Sequence, residues 1–129
     1  MFLGIAVRQT DESHTDIGFC THDGTYSTDF VVHTLKTEGL KQNMAEAISK
    51  FIIPTIRTYQ IKHKYKYMGA GISKDTVLLS PTLPAELWKQ LDIIPLVIAK
   101  GQMSSTIGTL EADMEVDEMA DSVVRSCIT

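Results

Sequence analysis

The chain is 129 residues long, 43% hydrophobic and 22% charged, with a formal net charge of -4. That length suits one domain, 1–129, whose core needs neither disulfide nor metal, and the acidic balance argues against nucleic acid as a partner. No apolar run approaches the roughly 20 residues that span a bilayer, MFLGIAVRQ at the N-terminus lacks the basic region and cleavage site of a secretory signal, and Cys20 and Cys127 form no CxxC, so the reading is a cytoplasmic protein with reduced thiols and no membrane partner.

Phe2 to Val7 is a short apolar run ended by the polar, turn-forming cluster Arg8 to Ser13, which predicts a first strand. From His14 to Thr21, Ile17, Phe19 and Thr21 alternate with small or polar residues, as in a half-buried strand. Asp23-Gly24 signals a hairpin, with a longer loop through Thr25 and Tyr26 as the alternative, and Thr28 to Leu35 follows as the antiparallel third strand. The central helix is NMAEAISKFIIPTIRTY, residues 43–59. Met44, Ile48, Phe51, Ile52, Thr55, Ile56 and Tyr59 recur at helical steps and form a stripe that a sheet must cover. Its start falls between Thr37 and Asn43, and Pro54, which has no N–H to donate, predicts a kink.

Tyr65 to Ile72 reads as a fourth strand whose two glycines admit another backbone. Pro81 to Gln90 predicts a short helix with Leu83, Leu87, Trp88 and Leu91 on one apolar side. Asp92 to Ala99 is the near-continuous apolar run of a strand buried on both faces, with Pro95 pointing to an edge or a bulge. Gly101 to Gly108 reads as a polar linker, and Leu110 to Ile128 as a last helix with an acidic first turn.

Three strands, then strands joined through helices, predict an α/β fold: a mixed sheet of about five strands, the first three an antiparallel meander, with helices packed on it. This order resembles the ribonuclease H-like fold and the half-domain of the actin-like ATPases. The resemblance implies a phosphate- and metal-binding turn after the first strand, which falls on Gly4 to Asp11. There Ala6 stands in place of the family's Asp and Arg8 in place of its first turn glycine, so the phosphate site reads as degenerate. The first strand also lacks the clustered carboxylates that two-metal nucleases need.

The residues left to contact a phosphate are Thr10 and Asp11 in that turn, together with Gly69, Gly71 and Ser73 in GAGISKD, which matches neither a dinucleotide-binding nor a P-loop pattern. His14 and His22 lie more than ~20 Å apart along an extended strand and cannot share a metal. Cys20 with His33 across the hairpin would form a thiolate-imidazole pair only if the register brought them together. Lys62 to Tyr67 interleaves bases with aromatics, as single-strand binders do, but alternation also suits tyrosines in the core and lysines in solvent.

The expectation is therefore a non-enzymatic binding or assembly domain, either free-standing or the N-terminal half of something larger, with no catalytic residues, no metal site and no cofactor. The alternative is a degenerate nucleotide-binding or phosphotransfer domain of the actin-like ATPase type, using ATP with magnesium. A homodimer or a protein partner is expected through the Asp92–Ala99 edge or the apolar face of the last helix.

Overall fold

A computed structural model of the chain describes residues 1–37, 39, 43–99 and 114–128. In chain order the elements are β1 (Phe2–Gln9), β2 (His14–His22), β3 (Ser27–Lys36), α1 (Met44–His63), β4 (Gly69–Ser73), α2 (Lys74–Leu79), α3 (Leu83–Leu91), β5 (Ile94–Ile98) and α4 (Val116–Ile128). The five strands form one mixed sheet in the order β3-β2-β1-β4-β5. β1, β2 and β3 pair antiparallel, while β4 and β5 join in parallel beside β1. This is the α/β layout that the order of sequence elements implied, a mixed sheet of five strands whose first three form an antiparallel meander.

Alternation along β1 sorts two cores. Leu3, Ile5 and Val7 face α1, α2 and α3, where they meet Ile17, Phe19, Ile48, Ile52, Ile56 and Ile72. On the other face Ala6 and Cys20 meet Met119, Ala120 and Val124 of α4. That second face is floored with small residues, Gly4 lying beside Gly71 across β1–β4 and Ala6 beside Gly18 across β1–β2. The helix backbone rests directly on them. A Cβ on Gly4 would lie 1.9 Å from the Ala120 carbonyl oxygen, and one on Gly18 would lie 2.4 Å from that of Val116.

Local chemistry closes the turns. Asp11 Oδ1 accepts from the backbone N–H of Ser13 and His14 at 2.7 and 2.8 Å, and Asp23 Oδ1 does the same for Thr25 and Tyr26. The β2–β3 connection is thus the longer loop, with Gly24 at φ +105. Further along the hairpin, Asp29 and Phe30 together face Cys20 in a bulge, with Asp29 at φ 51.

Several boundaries differ from the sequence reading. α1 begins at Met44 and runs without a break through Pro54, and Ser49 and Ile53 join its buried side. β4 starts at Gly69 and not at Tyr65, because its parallel partner β1 starts at Phe2; the last link between them is Met68 N–H to the Met1 carbonyl at 2.9 Å. A short helix, α2, follows β4, capped by Ser73 Oγ accepting from Thr76 N–H. Trp88 lies in solvent rather than with Leu83, Leu87 and Leu91. β5 is an edge strand and is not buried on both faces: Ile94 and Leu96 are 61% and 48% exposed. The Gly101–Gly108 linker and the start of the last helix at Leu110 lie outside the described residues.

The glycine floor yields a prediction. Gly4→Ala should lower stability by about 1–3 kcal/mol, since the new methyl must push α4 off the sheet. Gly69→Ala should change little, because its Cβ would meet only ordinary contacts at 3.4 Å and beyond. Denaturant melts of the two variants check this, and equal losses would contradict it.

Candidate functional site

Of the expected phosphate contacts, Thr10, Asp11 and Ser73 fall at the C-terminal ends of β1 and β4, where neighbours engage their side chains, whereas Gly69 begins β4 beside Phe2 and Gly71 lies in mid-strand beside Gly4. Thr10 Oγ1 donates to the His14 carbonyl at 3.2 Å, and Asp11 caps its own turn and contacts His14 Nδ1 at 3.1 Å. Ser73 is buried, its Oγ 2.6 Å from Thr76 Oγ1, while Thr76 Oγ1 accepts from Val7 N–H at 2.9 Å. β1 pairs with β4 only as far as Ile5, so this side chain satisfies a backbone donor the ladder leaves over. Gly71 lies under α4, where a Cβ would come 2.6 Å from Cys127 Sγ. Helix packing therefore accounts for Gly71 and not for Gly69.

The other constellations also resolve. His33 and Cys20 lie on opposite faces of the sheet. His33 Nε2 is 2.6 Å from Tyr59 OH among Phe19 and Phe51, whereas Cys20 faces α4, donating weakly to Asp121 Oδ1 at 3.7 Å. Burial first, and then the Asp121 charge, push the Cys20 thiol up to about 12, the reverse of what a nucleophile needs. Both cysteines are free. Among the described residues no group of three or more His, Cys, Asp or Glu is placed to hold a metal ion. No helix among them is long and apolar enough to cross a membrane.

In the basic, aromatic stretch Tyr67 is buried and bonded to Thr21 Oγ1 at 3.0 Å and to Tyr65 OH at 3.1 Å. His63 stacks on Tyr65 at 5.3 Å, and Lys66 pairs with Asp92 at 2.8 Å. The cleft that His63, Tyr65 and Tyr67 share with Asp29 holds about 20 Å³, room for about one water molecule.

Two larger concavities stand out among the described residues. One is an apolar cleft of about 250 Å³ beside α4, lined by Phe2, Met68, Gly69, Ile94, Leu96 and Cys127. α4 rests on the middle of the sheet and leaves this side open. The apolar face of α4 itself is spent on its own sheet, with Met119, Val123 and Val124 buried. β5 forms the rim of the cleft. Ile94 N–H points inward to the Met68 carbonyl at 3.3 Å, so by alternation Pro95 and Val97 present their nitrogens outward. Pro95 has no N–H to offer, which blunts the edge for strand pairing while its neighbours stay apolar. The other concavity is a polar groove of about 270 Å³ between α1 and α3, with Glu46, Lys50, Pro54, Arg57, Glu86 and Gln90 on its walls.

Compared with known proteins, residues 1–129 match a family model described as "Trehalose phosphorylase-like, N-terminal domain". The chain belongs to this family. Its relatives include a trehalose phosphorylase of Grifola frondosa, 25% identical over 175 aligned residues, and one of Pleurotus pulmonarius, 31% identical over 99. The chain spans 24% and 13% of their lengths, while 99% and 75% of the chain is covered. Two structures of the Aquifex aeolicus Ppx/GppA family align with 78% and 77% of the chain and 35% of theirs, at TM-scores of 0.42 and 0.41 and 9% and 7% identity. At those values the likeness bears on neither activity nor ligand.

These matches overturn the functional expectation from sequence. The family sits at the head of trehalose phosphorylases, so neither a free-standing non-enzymatic binding or assembly domain nor a degenerate ATP-binding one is the right class. The error was to draw function from the order of elements, which many activities share. Sequence reasoning did not bring together Arg57, Glu86 and Gln90, which line the polar groove.

Alkaline pH tests the burial of Cys20. Its thiol is raised from 9.0 to about 12, so above pH 9 the unfolded chain loses this proton before the folded one does. Stability should fall by about 1.4 kcal/mol per pH unit on this account as pH rises from about 9 toward 12, and be fully present below 9. Cys20→Ala should flatten that fall in melts at pH 8 to 11, and an identical fall in both proteins would contradict it.

Proposed function

We propose that this chain works as the N-terminal domain of a trehalose phosphorylase-type enzyme, seated against the catalytic part through the β4–β5 side of its sheet. The observation that carries this reading is the open apolar cleft beside α4, rimmed by Ile94 at 61% and Leu96 at 48% exposure. A contiguous apolar concavity marks a place another surface covers. In the curated relatives most of the polypeptide lies outside the matched part, which supplies the partner in cis. The blunted backbone edge at Pro95 favours side-chain packing over an added strand. The reading assigns the domain no nucleotide, and two free thiols suit a reducing, cytoplasmic setting.

Deleting the matched segment from the Grifola frondosa enzyme tests the proposal. Trehalose-dependent consumption of inorganic phosphate and the melting temperature should both fall, and both should recover when the segment is added in trans. This chain alone, given trehalose and phosphate, should consume none. Full activity and an unchanged melt after deletion, or turnover by the chain alone, would overturn the reading.

A further inference from the structure

The groove between α1 and α3 opens on the face of the sheet opposite α4, away from the apolar cleft, and nothing in the packing of the fold requires its polar equipment. Lys50 Nζ pairs with Glu46 Oε1 at 2.8 Å, and Gln90 Nε2 donates to Glu86 Oε2 at 3.5 Å. Arg57 makes no hydrogen bond or ion pair among the described residues, so its planar fork of donors faces the groove uncommitted. Pro54 adds to this in two ways. Lacking an N–H, it leaves the Lys50 carbonyl without the donor that position supplies in a regular helix. Its ring, with Ile53 at 3% exposure beneath, gives the groove an apolar wall and floor.

The charges decide what such a groove takes. Lys50 and Arg57 are offset by Glu46 and Glu86, so the lining is neutral overall and gives an ion of either sign no net attraction. It offers donors and acceptors side by side around an apolar floor. A polyhydroxyl ring carries the matching set, since each hydroxyl both donates and accepts and the ring's C–H faces are apolar. Hydrogen bonds to ionised groups are the strong ones. A volume of about 270 Å³ lies just below the lower end, roughly 300 Å³, of sites for drug-sized ligands, and suits one sugar ring. We infer that the α1–α3 groove binds one hexose unit of an uncharged saccharide, with Arg57, Glu86 and Gln90 as its hydrogen-bonding residues. The groove chemistry selects the class; the choice of trehalose within it rests on the enzyme reading above.

The test is an amide-resonance titration of the isotope-labelled chain with trehalose, with glucose, and with inorganic phosphate at matched ionic strength. Both sugars should give saturable shifts confined to residues 46–57 and 86–90, and phosphate should give none. Arg57→Ala and Gln90→Ala should each weaken sugar binding by about tenfold without moving the melt, as both side chains are exposed. Lys62→Ala, on the same helix outside the groove, should leave binding unchanged. No saturable shift with either sugar, shifts centred elsewhere, shifts retained in Arg57→Ala, or binding of phosphate in place of sugar would each overturn the assignment. The titration uses this chain alone and reads no turnover, so the site can fail while the enzyme reading holds, and the reverse.

Discussion

The architecture depends on how closely α4 can approach the sheet. Gly4, Gly18 and Gly71 remove side chains from the floor, so the helix rests its backbone on β1, β2 and β4, with the Ala120 and Val116 carbonyls where Cβ atoms would otherwise stand. A helix seated that low buries most of its own apolar face but reaches little to either side. On the β5 side the floor continues past it as Ile94 and Leu96, which nothing among the described residues covers. The same contact that completes the second core therefore creates the surface on which the functional reading stands.

The opposite face is covered by three helices, and the larger concavity it carries among the described residues is the polar α1–α3 groove. Its residual polar groups are tied off in pairs, as Ser49 Oγ with Ser80 Oγ at 2.7 Å and Thr76 with Val7 N–H. Buried polar groups must be paired or they cost about 1–3 kcal/mol each. At the end of β4 that demand engages the Ser73 and Thr76 hydroxyls, while Thr10 and Asp11, exposed past β1, are held by the hydrogen bonds of their own turn. The groove between α1 and α3 lies farther out, where water satisfies the lining and leaves it available to exchange for a ligand.

Element types and their order were legible because periodicity reports burial. The stripe on α1, the alternation in β2 and the small residues facing α4 each follow from one side of an element meeting a core. Ends were less legible, since β4 stops where β1 gives it no partner, a fact of register rather than of its own sequence. β5 misled for a related reason: five apolar residues look the same whether two layers of the domain cover them or a partner does. The candidate sites were hardly legible. Sequence does not show that local turns and caps engage Thr10, Asp11 and Ser73. Arg57 lies 29 residues or more before Glu86 and Gln90 in the chain, on a different helix, and only packing brings them together.

Cys127 provides the most direct test of the central claim, because it lines the apolar cleft and is only partly buried, whereas Cys20 is enclosed under α4. In a chimera placing this chain ahead of the catalytic part of the Grifola frondosa enzyme, alkylation of Cys127 by an uncharged maleimide should be at least about tenfold slower than in the free chain, the equivalent of roughly 1.4 kcal/mol of protection. Leu96→Asp should restore the free rate. A Cys127 that reacts equally fast in the chimera and in the free chain would show that the cleft stays open, and would contradict the account.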